Sequence, residues 1–481
     1  MEQAPSKRRR LGSLGSSTVD SGTATQPLDP SFEPPSIKGD FMDIITGGPV
    51  ISRATLLRGM GAAALLSVTG VSLAACAPGA GPSGPTSGKL VFVVYGDAEA
   101  QKTYNRLFAA FSKQYPGIQL QALAIAADTW ADFLNTVSTR IAGGQQIDVI
   151  QVATEGQRLF ASRDVLEPLD SFIRKDQSLV DEYYADTPPQ LREWLNTYGS
   201  PDGRTYYMPT GYNTMALQVS TKVLAQAGIE LPDAGWTWDE FRAAGQTLKS
   251  KNGAFIGTAG SGYFIDVMPW LVNNGASTMD ADWTKPTFYT PQAVEALEFV
   301  RSLVVDQLVP KPGGTFDAAS QMQKGKLATF GGGRWPTAAF QDLKMSDQVT
   351  LRPWPRNQAE GTVVGWEGWP ILKGSKNKEA AWTLIKFLMS KEYGEAITTG
   401  GASFVPARVS ITTGPLFTKD APSNSTLLYE QLPTAVPLPA PDRSTEFARI
   451  VEEAWSQGVT GAKSADTALR DAQKKLEGLV S

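Results

Sequence analysis

The chain has no histidine among its 481 residues and a single cysteine. The first absence removes Ser-His-Asp and Cys-His catalysis, imidazole general bases and histidine-ligated zinc. The second removes an internal disulfide, a CxxC redox pair and a cysteine-rich metal site. Any catalysis would have to run on carboxylates, Lys, Tyr or Ser. Excess charge is also missing. With 44 Lys and Arg against 48 Asp and Glu the net is −4, so the whole chain offers no sequence-independent attraction to nucleic acid. The block Lys7-Arg8-Arg9-Arg10 is short, lies among Ser, Gly and Pro, and reads as a solvated basic stretch. No cofactor, resident metal or nucleic-acid partner is expected.

A long hydrophobic run is lacking as well. The most apolar stretch, "SRATLLRGMGAAALLSVTGVSLAAC" from Ser52 to Cys76, is diluted by Gly59, Gly61, Ser67, Thr69, Gly70 and Ser72. A spanning helix needs about 20 strongly apolar residues, so this is no membrane helix. Its layout is that of an export signal: Arg53 and Arg58, a short small-residue apolar core, then Leu73-Ala74-Ala75 before the cysteine. Leu-Ala-Ala-Cys resembles a bacterial lipobox, which implies lipidation of Cys76 as the mature N-terminus. "SRATLLRG" resembles a twin-arginine signal with Ala54 in place of the second arginine, leaving the export route open. Residues 1–51 read as a disordered extension, 52–75 as a signal peptide with lipobox, and Met42 as a plausible start. Residues 76–88, "CAPGAGPSGPTSG", read as a flexible tether whose reach is roughly 40 Å when extended. The expected location is exported, lipid-anchored at the outer face of the cell membrane or in the periplasm.

From Lys89 the pattern is α/β. "KLVFVVYG" is a short β-branched run suited to a buried parallel strand. Tyr104, Leu107, Phe108, Phe111 and Tyr115 then mark one face of a helix, stopped by Pro116-Gly117. "IQLQAL" predicts a second strand, Trp130 to Ile141 a second helix, and "IDVIQV" a third strand. Strand, helix, strand, helix, strand with short loops implies a parallel sheet. Further on, Thr237-Trp238-Asp239-Glu240 is a capping box and Thr290-Pro291 a helix start. Ser375 to Met389 and the C-terminal "SADTALRDAQKKLEGLV" predict two more helices, the latter with Leu469, Ala472, Leu476 and Val480 inward.

The order of these segments resembles the sugar-binding group of extracellular solute-binding proteins of bacterial ABC importers, which includes maltose-binding protein. The pieces that carry the resemblance include "FSKQYPGIQLQAL", "AGGQQIDVI", "DVLEPLD", "GRTYYMPTGYNTMAL", "AGIELPDAGWTWDEF", "QKGKLATFGGGRWP", "GSKNKEAAWTLIKFL" and "FVPARVS". One departure is Val219-Ser220-Thr221-Lys222, where the family commonly has a Tyr-Asn-Lys step. The resemblance implies a two-lobed periplasmic-binding-protein fold of type II. Lobe 1 would hold residues 89–212 and 368–410, lobe 2 residues 213–367 and 411–481, with crossings near Asn213, Trp366 and beyond Arg408. Partners would be a small solute and membrane permease subunits, and the protein a monomer.

A sugar presents apolar C–H faces and a rim of hydroxyls, so its site needs flat aromatic surface plus carboxylates, amides or Arg. Asp97 and Glu155 match acidic binding positions of the family, and Trp335 a stacking position. Trp130 opens the second helix, and Tyr212 and Asn213 stand at the first crossing. Trp270 sits in "MPWLVNNG", Arg334 precedes Trp335, and "GWEGWP" supplies Trp366, Glu367 and Trp369. Trp236, Trp238, Trp382 and Trp455 are read as packing. Around Phe447 to Arg449 the chain lacks the family's aromatic positions, which leaves ligand size open. The leading expectation is a carbohydrate receptor for an importer. Two alternatives remain: the same fold holding a peptide or polyamine, or a secreted glycoside hydrolase using Asp97 and Glu155.

Overall fold

The computed structural model describes residues 88–480, apart from 128, 261, 314–315 and 401–402. The leader, Cys76 and the tether up to residue 87 lie outside the described residues. Among the described residues thirteen strands occur in chain order: β1 (Gly88–Tyr95), β2 (Ile118–Ile125), β3 (Val149–Ile150), β4 (Val152–Ala153), β5 (Leu166–Glu167), β6 (Met208–Thr214), β7 (Ala216–Ser220), β8 (Thr329–Gly332), β9 (Val349–Arg352), β10 (Thr362–Trp369), β11 (Ile371–Leu372), β12 (Val405–Pro406) and β13 (Ala435–Pro437). They form three sheets. The first runs β2-β1-β3-β11-β5, the second β12-β6-β10-β13 with β4 also on β10, and the third β8-β7-β9.

In the first sheet β1 pairs in parallel with both β2 and β3, as the strand–helix–strand pattern requires. Between them run helices α1 (Ala98–Gln114) and α2 (Trp130–Ala142). Leu107, Phe108 and Phe111 of α1 are buried against the sheet, and Tyr104 and Tyr115 complete the stripe half-buried. The sheet is not wholly parallel, because β11 joins β3 and β5 in antiparallel pairs. Late chain thus returns to a sheet begun near residue 88.

The expected third strand, "IDVIQV", is two strands in two sheets. β3 belongs to the parallel sheet, and β4 pairs antiparallel with β10 of the second. Gln151 is the corner. Its amide oxygen accepts from Tyr95 N at 3.2 Å and its Nε2 donates to Glu367 Oε2 at 2.8 Å, so the chain changes sheets with its polar groups paired.

The second sheet leads into the third. β6 leads through Met215 straight into β7 of the third sheet, and β10 returns antiparallel to β6, paired from Val364–Thr214 to Trp369–Met208 with a one-residue shift at Thr210. β12 closes the other edge of β6. Gly211 has to be glycine here, since a Cβ would lie 2.1 Å from Phe404 Cδ2.

The helix starts read from sequence are formed. Thr237 caps Trp238–Lys251 with the reciprocal Glu240 bond, and Thr290 caps Pro291–Val305. The helix expected over Ser375 to Met389 runs Lys378–Leu388, because Ser375 Oγ instead donates to buried Asp148 at 2.6 Å. In the last helix, Ala465–Val480, Leu479 is buried beside Leu469, Ala472 and Leu476, and Val480 is only half-buried. The helix Ser444–Thr460 packs against α2 and also against Phe264–Val272 and Pro291–Val305. Among the described residues no helix is long and apolar enough to cross a membrane.

Candidate functional site

A cavity of about 830 Å³ opens over the crossing strands. One wall is the loop after β1 and the start of α2, where Tyr95 and Trp130 stack with ring centroids 4.7 Å apart. Thr129 caps α2 through its side chain, which fixes Trp130 at the first helical position facing the cavity. Helix α3 (Thr154–Ala161) adds Glu155 in its first turn. Tyr263 with Ile265, and Trp335 just ahead of the helix Pro336–Asp342, also line the cavity. Across the floor lie Gly365, Glu367, Asn213 and Phe404.

Strand alternation decides which floor residues look upward. Paired residues of neighbouring strands share a face, and successive residues alternate. Asn213 opposes Gly365 and Gly211 opposes Glu367, whereas Tyr212 opposes Trp366 on the reverse face. The Trp366 ring accordingly stacks on Trp194, centroids 5.5 Å apart, and its Nε1 donates to Gln157 Oε1 at 2.9 Å. Tyr212 is 1% exposed.

Of the residues singled out by sequence, Trp130, Glu155, Asn213, Trp335 and Glu367 line one cavity, which Tyr212 and Trp366 border with their rings on the reverse face of the floor. Four others stand elsewhere. Asp97 caps α1, accepting from Glu99 N and Ala100 N, so its carboxylate serves the helix start. Trp270 is packed among Trp238, Phe241, Phe299 and Trp354, since its helix buries that side entirely. Arg334 turns away from Trp335: its Nη1 donates to Phe417 O at 3.2 Å and its guanidinium lies 4.0 Å from the Phe417 ring. Trp369, two residues beyond Glu367 on β10, stacks on Phe92 in the first sheet, centroids 4.9 Å apart. Trp236, Trp238, Trp382 and Trp455 are all core residues.

The cavity's polar groups are prearranged. Asn213 bridges two segments, its Nδ2 donating to Ser403 O and its Oδ1 accepting from Arg334 N, both at 2.9 Å. Trp369 Nε1 donates to Thr210 Oγ1, which donates to Glu367 Oε1 at 2.5 Å. Burial pushes the Glu367 carboxyl up to about 7 against these bonds. Glu155 is likewise pushed up to about 7 by burial, its own backbone amide opposing and Glu452 adding. Glu452 accepts from Phe264 N at 2.9 Å and stands at about 7 for the same first reason. Among the described residues no group of His, Cys, Asp or Glu is placed to hold a metal ion.

Sequence reading missed Tyr95, Tyr104, Gln151, Tyr263, Tyr393 and Phe404, all in the lining. Tyr104 had been visible only as a helix-stripe residue, and Gln151 only as the interruption of an apolar strand. Nothing local marks Tyr393, which comes from a helix more than two hundred residues further on.

Comparison with known proteins agrees with this architecture. A binding protein of Brucella abortus is 25% identical over 389 residues, covering 77% of this chain and 88% of its own. The arabinooligosaccharide-binding protein of Bacillus subtilis is 22% identical over 339 residues, covering 68% of this chain and 75% of its own. The structure of maltose-bound T. maritima MalE3 superposes with a TM-score of 0.71 at 21% identity, over 81% of this chain and 99% of that one. The fold is thus the two-lobed α/β fold of type II periplasmic binding proteins. The family model for bacterial extracellular solute-binding protein matches residues 96–395, and the chain belongs to that family.

Proposed function

We propose that the protein captures a carbohydrate in the cleft and delivers it to the membrane permease of an ABC-type importer. One observation carries the reading: a single cavity combines the stacked Tyr95–Trp130 pair, Tyr263 and Trp335 with Glu155, Asn213 and Glu367. Flat rings cover the C–H faces of a pyranose or furanose, and carboxylates and amides replace the water lost from its hydroxyls. A cavity of about 830 Å³ has room for more than one sugar ring. The arabinooligosaccharide-binding relative and the maltose-bound neighbour support the same ligand class.

The mechanism is capture without turnover. A sugar enters against the Tyr95–Trp130 wall, and Trp335 with Asn213 closes on it from the facing side by bending at the β6 and β10 crossings. Glu155 then accepts ligand hydroxyls where burial strengthens each bond. Export and lipidation at Cys76 would keep the receptor near its permease, raising local concentration, although one acyl chain alone holds only marginally. Mass spectrometry of the membrane fraction tests the anchor: a diacylglycerol adduct on Cys76 is expected, and an unmodified thiol contradicts it.

Thermal-shift screening of the purified protein against mono- and oligosaccharides tests the ligand class. At least one sugar should raise the melting temperature and be recovered chemically unchanged. A peptide or polyamine that shifts it while no sugar does would replace the reading.

A further inference from the structure

The cleft floor holds an unused hydrogen-bonding group. Tyr393, from the helix Lys391–Thr399, lines the cavity, is 1% exposed, and its hydroxyl has no hydrogen-bond partner in the protein. Buried polar side chains are nearly always paired, so an orphan at a binding cavity marks a bond that something else completes. The ring cannot swing away. Phe108 lies parallel to it at 6.5 Å between centroids, and Phe387 lies tilted against it at 5.9 Å.

Three polar neighbours share this recess. Burial first, then Tyr104 and Glu367, push the Tyr393 hydroxyl upward, so it stays a neutral group able to donate and accept. The Tyr104 hydroxyl is raised by burial and then by Glu367, with Gln151 beside it. Glu367 accepts one bond from Thr210 and one from Gln151, both neutral donors, which leaves acceptor capacity on each oxygen. These groups come from α1, the β3–β4 corner, β10 and a helix near residue 393, all on one cavity.

We propose that Tyr393, Tyr104, Gln151 and Glu367 form a subsite that takes the terminal ring of the ligand end-on, through neighbouring hydroxyls. This rests on the carbohydrate reading of the cleft. One ligand hydroxyl accepts from Tyr393 and donates to Glu367, and the next meets Tyr104 and Gln151. An apolar terminus would leave the Tyr393 hydroxyl buried and unpaired, which is the strongest form of discrimination a small site has. A cationic terminus is disfavoured, because Glu367 sits near 7 and is not fully ionised at neutral pH.

The test uses Tyr393→Phe and the wild-type protein, titrated calorimetrically with maltotriose and arabinotriose. The sugar that binds is then compared with its analogue lacking one terminal hydroxyl. Because the hydroxyl is unpaired in the free protein, the variant should melt without ligand at the wild-type temperature or above. Its affinity should fall about 5–10-fold, the worth of one hydrogen bond. The deoxy analogue should lose a similar factor on wild type and little more on the variant. Wild-type affinity in the variant, or independent multiplying losses, would each overturn the subsite. Should the wild type bind neither of these nor any sugar of the wider mono- and oligosaccharide panel, the carbohydrate reading fails first and the subsite with it. The deoxy comparison on wild type decides the matter even if the variant folds poorly.

Discussion

Trp335 and Glu155 show how much a single residue can say. Both follow a local break in the chain, a Gly-Gly-Gly-Arg run for one and the end of a strand for the other. Both line the cavity. Asp97 follows a strand end in the same way, yet its Oδ1 accepts from the Glu99 and Ala100 amides at the start of α1 and the residue is not in the cavity lining. Sequence marks such positions without saying whether backbone or ligand claims the side chain. At this scale we expect Trp335→Ala to weaken sugar binding about tenfold or more, with a smaller loss of ligand-free stability, because the half-buried ring lines the cleft while resting partly on the core. Titration calorimetry on the variant checks this, and undiminished affinity would remove Trp335 from the site. Trp270→Ala should do the reverse, lowering stability by about 3–5 kcal/mol through a core cavity. Denaturant unfolding of that variant measures it.

Helices and strands were the most legible level, where periodicity and capping agree. The Thr237–Glu240 box is formed as its spacing requires, and α1 buries the stripe that marks it. Thr237→Ala should cost about 1 kcal/mol, read as a lowered urea midpoint at constant slope. An unshifted midpoint would mean the helix is held by packing alone. The short strands were less legible. β3 and β4 look like one apolar run, and only the side-chain pairing of Gln151 with Tyr95 and Glu367 makes them two. Which face of β6 and β10 looks into the cleft depends on register across more than a hundred residues of chain. That is why Tyr212 and Trp366 could be named as neighbours of the cleft but not oriented.

Over the whole molecule, the segment order was enough to expect two α/β lobes, and the type II fold agrees. The convergence of α1, β10 and the helix Lys391–Thr399 on one recess was not legible, since it exists only after the chain returns to the first sheet. Buried carboxyls give the molecule a pH signature. Glu367 stands at about 7 and is 5% exposed, with the half-buried Glu155, Asp266 and Glu452 raised alike by burial. A folded-state value above the unfolded one means that the native state holds more protons between about 4.5 and 7. Stability from this source is therefore full below that window and lost as pH rises through it. For Glu367 the loss is of order 3 kcal/mol. Denaturant unfolding of the ligand-free protein should show lower stability at pH 8 than at pH 5.5, and Glu367→Gln should flatten the difference. A flat or rising wild-type profile would mean that Glu367 is not desolvated as described.

The central claim is that the aromatic and carboxyl-lined cavity is a carbohydrate site. Isothermal titration of the purified protein with a panel of mono- and oligosaccharides tests it most directly, with the recovered sugar analysed afterwards. The account predicts one-to-one saturable binding of at least one sugar, recovered intact. Absence of binding across the panel, or release of hydrolysed product, would contradict it.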